Sequence, residues 1–390
     1  MRLLLLLTVA SFPVSVTLHH GLVSLCVLIV LYNVFRERKL PQGGLLANPI
    51  HLFNFSTVAS ALLYMPEKIR EALSSSFLRY GYLSSLRGEI RGPDFFHLLN
   101  RILLLEGILL LPVFAYNLFV MNRYKLLWGN MSKVAEIYAL FTLVSLSLAL
   151  YRRSWIYFLI SGVFFAVMMS PARRAEILGL VLTVFLIVAL YMKRNRAYLK
   201  QGMVFLAAVV VLLTGGFLYF AEHQKDPRFV LALEVLKGQR ELNEETLDRL
   251  STTRWNNLKA SLVVVGRDFS EGNIVPLLVG HGIYGGGKLT PPPPNGLPYY
   301  EGIGIVLEFI QRGALGVIAL ILIFLRSLKV LFSLDLGRRE SLMLLPFVSY
   351  MVFYNFSAVF TPYVNATLPV ALLMFGLAEG YLRQSRERRI

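Results

Sequence analysis

The chain has 390 residues, 56% hydrophobic and 16% charged, and a formal net charge of +16. A soluble domain carries about a quarter charged residues, so this composition argues against a soluble fold and for a membrane protein. Its single cysteine, Cys26, excludes an intrachain disulfide and a cysteine-based metal site.

The apolar residues come in blocks of about twenty, the length that spans a bilayer core. Backbone polar groups must be satisfied inside hydrocarbon, so the blocks are expected to be helices. The alternating pattern of a β-barrel is absent. The reading is therefore all-α: a polytopic bundle of roughly ten to twelve transmembrane helices with one long, partly helical extracytoplasmic loop.

The predicted spans begin with 2–16, 20–35 and 46–65. The first resembles a signal peptide, with Arg2 before a leucine run, but a second apolar segment follows at once, which favours a retained helix over cleavage. Residues 66–100 mix Glu67, Lys68, Arg70 and Arg79 with Leu73, Phe77, Leu78 and Tyr82. They read as an amphipathic interfacial segment or as a short re-entrant pair. Spans follow at 101–121, 133–150, 154–170, 174–192, 202–221, 303–325, 341–360 and 365–382. Three parts result: an N-terminal transmembrane bundle, 1–221; a large loop, 222–302; and C-terminal helices with a basic tail, 303–390.

Basic residues in 192–200, in 326–340 and after 382 fall on one face if these spans hold, and the positive-inside rule makes that face cytoplasmic. The tail from Arg383 to Arg389 is expected to touch anionic lipid. This use of the positive charge leaves no nucleic-acid partner to invoke. The loop and the turn at 361–364 would then lie outside. The N-terminal half fits less well: Arg36, Arg38 and Lys39 suit the cytoplasm, yet counting back from the tail puts them outside. Either one early span is wrong, or 66–100 crosses or re-enters.

Within the loop, 243–266 has helical leucine spacing and 226–238 reads as a shorter helix ending at Gly238. A glycine-rich turn, 280–287, and a proline run, 291–294, follow.

The turn Ser170-Pro171-Ala172-Arg173-Arg174-Ala175-Glu176 joins two apolar spans. Two further crossings separate it from the loop, so both share a face, and the two arginines would lie outside against the charge rule. Paired guanidinium groups there suit phosphate or pyrophosphate. The alternative is snorkelling to headgroups or pairing with Glu176. Arg254, followed by Trp255, and the weaker Arg267 are further phosphate-binding candidates on the loop helix, or plain surface arginines. Glu301, at the mouth of the helix near 303, is the leading candidate general base; the alternative is a helix-start acid stabilised by the dipole. His281 is a second candidate base, or an exposed loop histidine. Glu308 and Arg312 lie one turn apart in an apolar helix, a spacing that pairs them inside the bundle. No metal-ligand cluster is apparent, and no GxxxxGK[ST] motif supports ATP-driven transport. The turn Gly285-Gly286-Gly287 lacks the strand–turn–helix setting of a dinucleotide site.

The order of these features resembles the O-antigen polymerase and O-antigen ligase superfamily of bacterial envelope glycan enzymes, over about residues 160–325. The motifs similar to the family's are Ser170–Arg174, Arg254-Trp255, Gly280-His281-Gly282 and Gln311-Arg312-Gly313-Ala314-Leu315-Gly316. Ligases of that superfamily carry a His-Asn pair before the helix corresponding to 303–325. Here the residues are Tyr300-Glu301-Gly302, a departure that favours the polymerase reading and leaves the base open.

The resemblance implies a metal-independent, inverting glycosyltransferase of lipopolysaccharide-type polysaccharide biosynthesis in the bacterial inner membrane, without cofactor and with its site facing the periplasm. It would join oligosaccharide units carried on undecaprenyl pyrophosphate, beside membrane lipid, a chain-length regulator and a flippase. Arg173, Arg174, Arg254 and Arg267 would bind the pyrophosphate, and Glu301 or His281 would accept the proton. Two alternatives remain: a ligase moving the same glycan to a lipid core or protein, and a lipid-linked glycan flippase or other transporter. The inverted repeats and broken midplane helices of transporters are not evident, and a peptidoglycan-type polymerase would need an acidic loop motif that cannot be placed.

Overall fold

The computed structural model describes residues 1–38, 43–86, 92–194 and 227–387, with a few positions between 207 and 219. The expected span 202–221, most of the basic stretch 192–200 and the last arginines of the tail lie outside the described residues.

Apolar runs of helix-length set the elements. In chain order these are α1 (Arg2–Ala10), α2 (Val16–Glu37), α3 (Ala47–Tyr64), α4 (Ile69–Arg79), α5 (Gly81–Leu86), α6 (Asp94–Phe119), α7 (Met131–Arg152), α8 (Trp155–Met169) and α9 (Arg174–Arg194). The intervening region carries α10 (Pro227–Leu236), α11 (Glu244–Ser251), α12 (Arg254–Ser270) and α13 (Ile274–Val279). Then come α14 (Gly304–Ser333), α15 (Arg339–Ser357) and α16 (Leu368–Glu387). No strand occurs among the described residues. Five helices, α2, α6, α7, α9 and α14, are long and apolar enough to cross a membrane. The protein is a multi-pass helical membrane protein by this composition and length. Each expected span among the described residues coincides with a helix, although α1 stops at Ala10, before Pro13, and has only 9 residues.

The centre is α7 against α15. Every residue from Val134 to Leu150 of α7 is buried, as is every residue from Ser341 to Asn355 of α15. A helix apolar on all sides belongs in the middle of a bundle. At the perimeter, α2, α6 and α8 expose Leu25, Leu28, Leu105, Leu109, Ile156 and Leu159, which suits lipid contact.

The two ends of the bundle are distinguished by their contacts. At one end the Arg2 guanidinium lies 5.6 Å from the Phe95 ring centre, Arg152 meets His97 at 3.3 Å, and Phe96 packs on Tyr381. At the other end Trp128 Nε1 donates to the Phe12 carbonyl at 2.9 Å, and Lys133 donates to Thr367 Oγ1 at 3.0 Å.

The segment 66–86 runs between these ends. Its start is held by Glu67 to Lys288 in the loop, and its close by the Tyr82 hydroxyl donating to Glu379, which also pairs with Arg383. At about 1.5 Å per residue, α4 and α5 together reach about 27 Å, close to a bilayer core. The segment thus runs along the depth of the bundle, rather than lying across one end of it. Arg2, Arg152, Arg339 and Arg383 lie at the end where it closes.

In the loop, the single helix expected over 243–266 is two. Thr252 and Thr253 both take left-handed backbone (φ 58° and 64°) and break it, while Asn243 caps α11 by accepting from Thr246 N at 2.9 Å. The shorter helix ends as expected, with Gly238 at φ 69°.

Candidate functional site

A cavity of about 320 Å³ opens at the end of the bundle that carries the loop. Its lining comes from segments distant in sequence: Glu71 of α4, Lys133 and Glu136 of α7, Arg173 and Glu176 at the start of α9, Tyr284 and Tyr299 of the loop, and Glu308 and Arg312 of α14. Each cation is held by a carboxylate one helical turn away. Lys133 Nζ lies 2.5 Å from Glu136 Oε2, Arg173 Nε lies 3.5 Å from Glu176 Oε1, and Arg312 pairs with Glu308. The Glu308–Arg312 spacing thus does what its sequence predicts. Arg312 Nε also donates to Thr57 Oγ1 at 2.9 Å, and Glu308 accepts from the Tyr363 backbone at 3.1 Å.

Two glycine motifs turn out to be one contact. Gly313, at φ 62° and ψ −167°, kinks α14, a conformation open essentially to glycine alone. The freed carbonyls of Ile310 and Gln311 accept from the backbone of His281 (2.7 Å) and Gly282 (3.2 Å). Gly280 sits so close that an added Cβ would lie 2.3 Å from Arg312 N. The 280–282 turn is thereby locked, backbone to backbone, onto the segment that carries Arg312. Small residues Ser56, Thr57 and Gly316 let α3 approach α14 at the same level.

Two side-chain pairs of the loop lie outside the cavity's lining residues, close in sequence to Tyr299 and Ile283, which line it. In the first, Arg254 Nη2 donates to Glu301 Oε1 at 3.1 Å, and Asn257 Nδ2 donates to the Glu301 carbonyl at 2.9 Å. Tyr299 joins this pair to the cavity; burial, then the Glu301 charge, raises its phenol above the ordinary value. In the second pair, His281 Nε2 lies 2.7 Å from Asp268 Oδ2, with the Tyr64 ring centre 5.7 Å away. His281 is not the exposed loop residue of the alternative reading: its side chain keeps 13% of its exposure and that of Asp268 keeps 10%.

The expected convergence of arginines is only partly met. Arg173 lines the cavity, paired with Glu176 as the competing explanation held. Arg174, the next residue, turns about 100° around the helix and is exposed, making its contacts elsewhere. Arg254 is not among the cavity's lining residues and is engaged by Glu301. Arg267 is exposed, about 20 Å further along α12, and cannot share a ligand with Arg254 across that distance. The cations that do line the cavity with Arg173 are Lys133 and Arg312. Lys133 and Glu136 could have been found as an ionisable pair opening an apolar helix; Asp268 gives no such signal, because its partner is set by the fold of the loop.

Over 376 residues the chain is 30% identical to an uncharacterized protein of Aquifex aeolicus (strain VF5), covering 96% of this chain and 95% of that protein. The chain belongs to that protein's family. The similarity runs nearly end to end in both members, so the family shares the whole span from the N-terminal helices through the loop to the C-terminal helices. No family model matches the chain.

Proposed function

We propose that the protein is a membrane glycosyltransferase that polymerises oligosaccharide units carried on undecaprenyl pyrophosphate. The observation that carries the proposal is the meeting of three separated motifs on one cavity: the 170–176 turn, the 280–284 turn and residues 308–312. Their order in sequence is that of the polysaccharide polymerase and ligase superfamily, and their gathering supports a single site.

Charge supports an orientation with the cavity on the extracytoplasmic side of a bacterial inner membrane. The end opposite the cavity holds Arg2, Arg152, Arg339 and Arg383, as the positive-inside rule expects of a cytoplasmic face.

In the reaction, the hydroxyl oxygen of the acceptor sugar attacks the anomeric carbon of the donor. The bond from that carbon to the pyrophosphate oxygen breaks, and its electron pair leaves with the lipid pyrophosphate. The hydroxyl proton passes to a base. Negative charge grows on the leaving group, and Lys133, Arg173 and Arg312 supply the opposing field. Lys133 and Arg312 are held by their glutamate partners before substrate arrives, which is the preorganisation that electrostatic catalysis requires; Arg173 stands 3.5 Å from Glu176 with its Nε free of hydrogen bonds.

The base is His281. A carboxylate that takes the Nε2 proton fixes the imidazole tautomer and leaves Nδ1 with its lone pair. Glu301 already has an oxygen engaged by Arg254, and holds that arginine in place. Glycan length in cells lacking the protein tests the reading. Single repeat units on the final acceptor are the expected result. Long polymer stranded on the lipid carrier would instead mean a ligase, and an unchanged ladder would remove both enzymes from consideration.

A further inference from the structure

Beside the cavity lies a second groove, of about 600 Å³, between the start of α2, the length of α4 and the turn into α16. It shares Glu71, Ser75 and Asn365 with the cavity. Its own polar lining is His20, Arg70, Ser74 and Arg79, and its apolar lining includes Leu78, Leu368 and Pro369.

Arg79 is the unusual member. It is 2% exposed, yet its Nε and Nη1 have no hydrogen-bond partner. Only Nη2 is engaged, by the hydroxyls of Ser75 (3.3 Å) and Ser76 (2.9 Å). Among the described residues no carboxylate pairs with it. Arg312 stands over the same Phe53 ring, each guanidinium 4.8 Å from the ring centre. Glu308 is hydrogen-bonded to Arg312 and acts on Arg79 only through its charge; the hydrogen bonds of Arg79 go to neutral hydroxyls. The carboxylate in the groove, Glu71, is paired with Lys68. A buried cation without a bonded counter-charge is disfavoured, so the groove has a place for an anion. The remaining lining says what kind. Arg70 adds a second cation at the exposed rim, while the apolar side between α2 and α16 suits a hydrocarbon chain.

We propose that this groove is a second lipid site, which seats the phosphate or pyrophosphate head of a long-chain lipid against Arg79 and Arg70. In the polymerase reading, on which the assignment of roles rests, it holds the acceptor lipid while the donor occupies the cavity. Two carriers meet in such a reaction, and the shared wall of Glu71, Ser75 and Asn365 places their heads side by side.

The test is native mass spectrometry of the purified full chain with undecaprenyl pyrophosphate, against inorganic pyrophosphate as competitor. Wild type is expected to bind two lipids, Arg79→Gln one, and Arg173→Gln to keep the Arg79 lipid. Arg70→Glu, at the exposed rim, is expected to weaken the second site at least tenfold without touching the buried cluster. Without lipid, Arg79→Gln should melt no lower than wild type, because a charge kept for a ligand destabilises the empty protein; a lower melting temperature would make Arg79 a structural residue. Should Arg79→Gln not fold, Arg70→Glu decides. Two lipids bound by both Arg79→Gln and Arg70→Glu overturn the inference. So does inorganic pyrophosphate displacing the lipid at equal concentration, since the site would then recognise a free anion. One lipid, sensitive only to Arg173→Gln, overturns the groove and leaves the glycosyltransferase reading standing. One lipid, sensitive only to Arg79→Gln, supports the groove and removes the cavity as donor site.

Discussion

The two side-chain pairs of the loop carry the same kinds of group in opposite arrangement. At Arg254–Glu301 a carboxylate is held by a permanent cation, with side chains 25% and 31% exposed. At Asp268–His281 an imidazole is held by a carboxylate, with side chains 10% and 13% exposed. The first arrangement fixes an arginine beside Tyr299. The second fixes a ring whose free nitrogen can take a proton. A carboxylate near a helix mouth is therefore weak evidence for a base until its partner is known, and a histidine between glycines is better evidence once its partner is an aspartate.

The largest expected effect is all-or-none and concerns the side on which both pairs lie. In a Cys26→Ala background, the exposed positions Arg174→Cys and Gly287→Cys, together with Lys68→Cys, should label with an impermeant thiol reagent from outside, and Gly92→Cys should not. Equal labelling of Lys68→Cys and Gly92→Cys would mean that 66–86 does not cross.

Next in size is the base itself. His281→Ala should lower the polymerisation rate by about a hundred- to ten-thousand-fold, with lipid-linked donor still bound, whereas Glu301→Gln should cost less than about tenfold. The reverse ranking, measured on purified protein, would return the base to Glu301 and break the comparison. Asp268→Asn sharpens it: the amide can donate to Nε2 and favour the wrong tautomer, so a loss of about a hundredfold is expected while the melting temperature holds. Asp268→Asn at full rate would leave the dyad without a catalytic role.

Smaller, and felt mostly in stability, is Gly280→Ala. The position has φ 81°, and its Cβ would collide with the Arg312 backbone at 2.3 Å. Denaturant unfolding should show a loss of about 2 kcal/mol or more, with activity falling in step. The smallest effect is Arg254→Lys. Lysine keeps the charge that holds Glu301 but not the fork, so a loss of a few-fold in rate is expected.

Much of this molecule was legible in its sequence. Blocks of apolar residues near the length of a bilayer core are helices wherever they occur, because hydrocarbon leaves the backbone no other partner. The helix content, the helix positions and the i, i+4 pairing of Glu308 with Arg312 followed from local pattern alone. The common end of the 170–176 turn and the loop is seen in the cavity that both line; the span 202–221, on which the crossing count rests, lies outside the described residues.

The course of 66–86 along the bundle was not legible, because Glu67 and Tyr82 are satisfied by the distant Lys288 and Glu379, and Arg79 stands over the ring of Phe53. Hydropathy counts each residue as if lipid or water surrounded it, and here protein does. The site divided in the same way. Arginines and a carboxylate could be nominated by residue type, but which of them meet depends on helix rotation and on the kink at Gly313. Adjacent Arg173 and Arg174 part by about 100°, while His281 and Asp268, thirteen residues apart by number, are brought to 2.7 Å. Local interactions fix the elements; the choice of partners is made only when those elements pack.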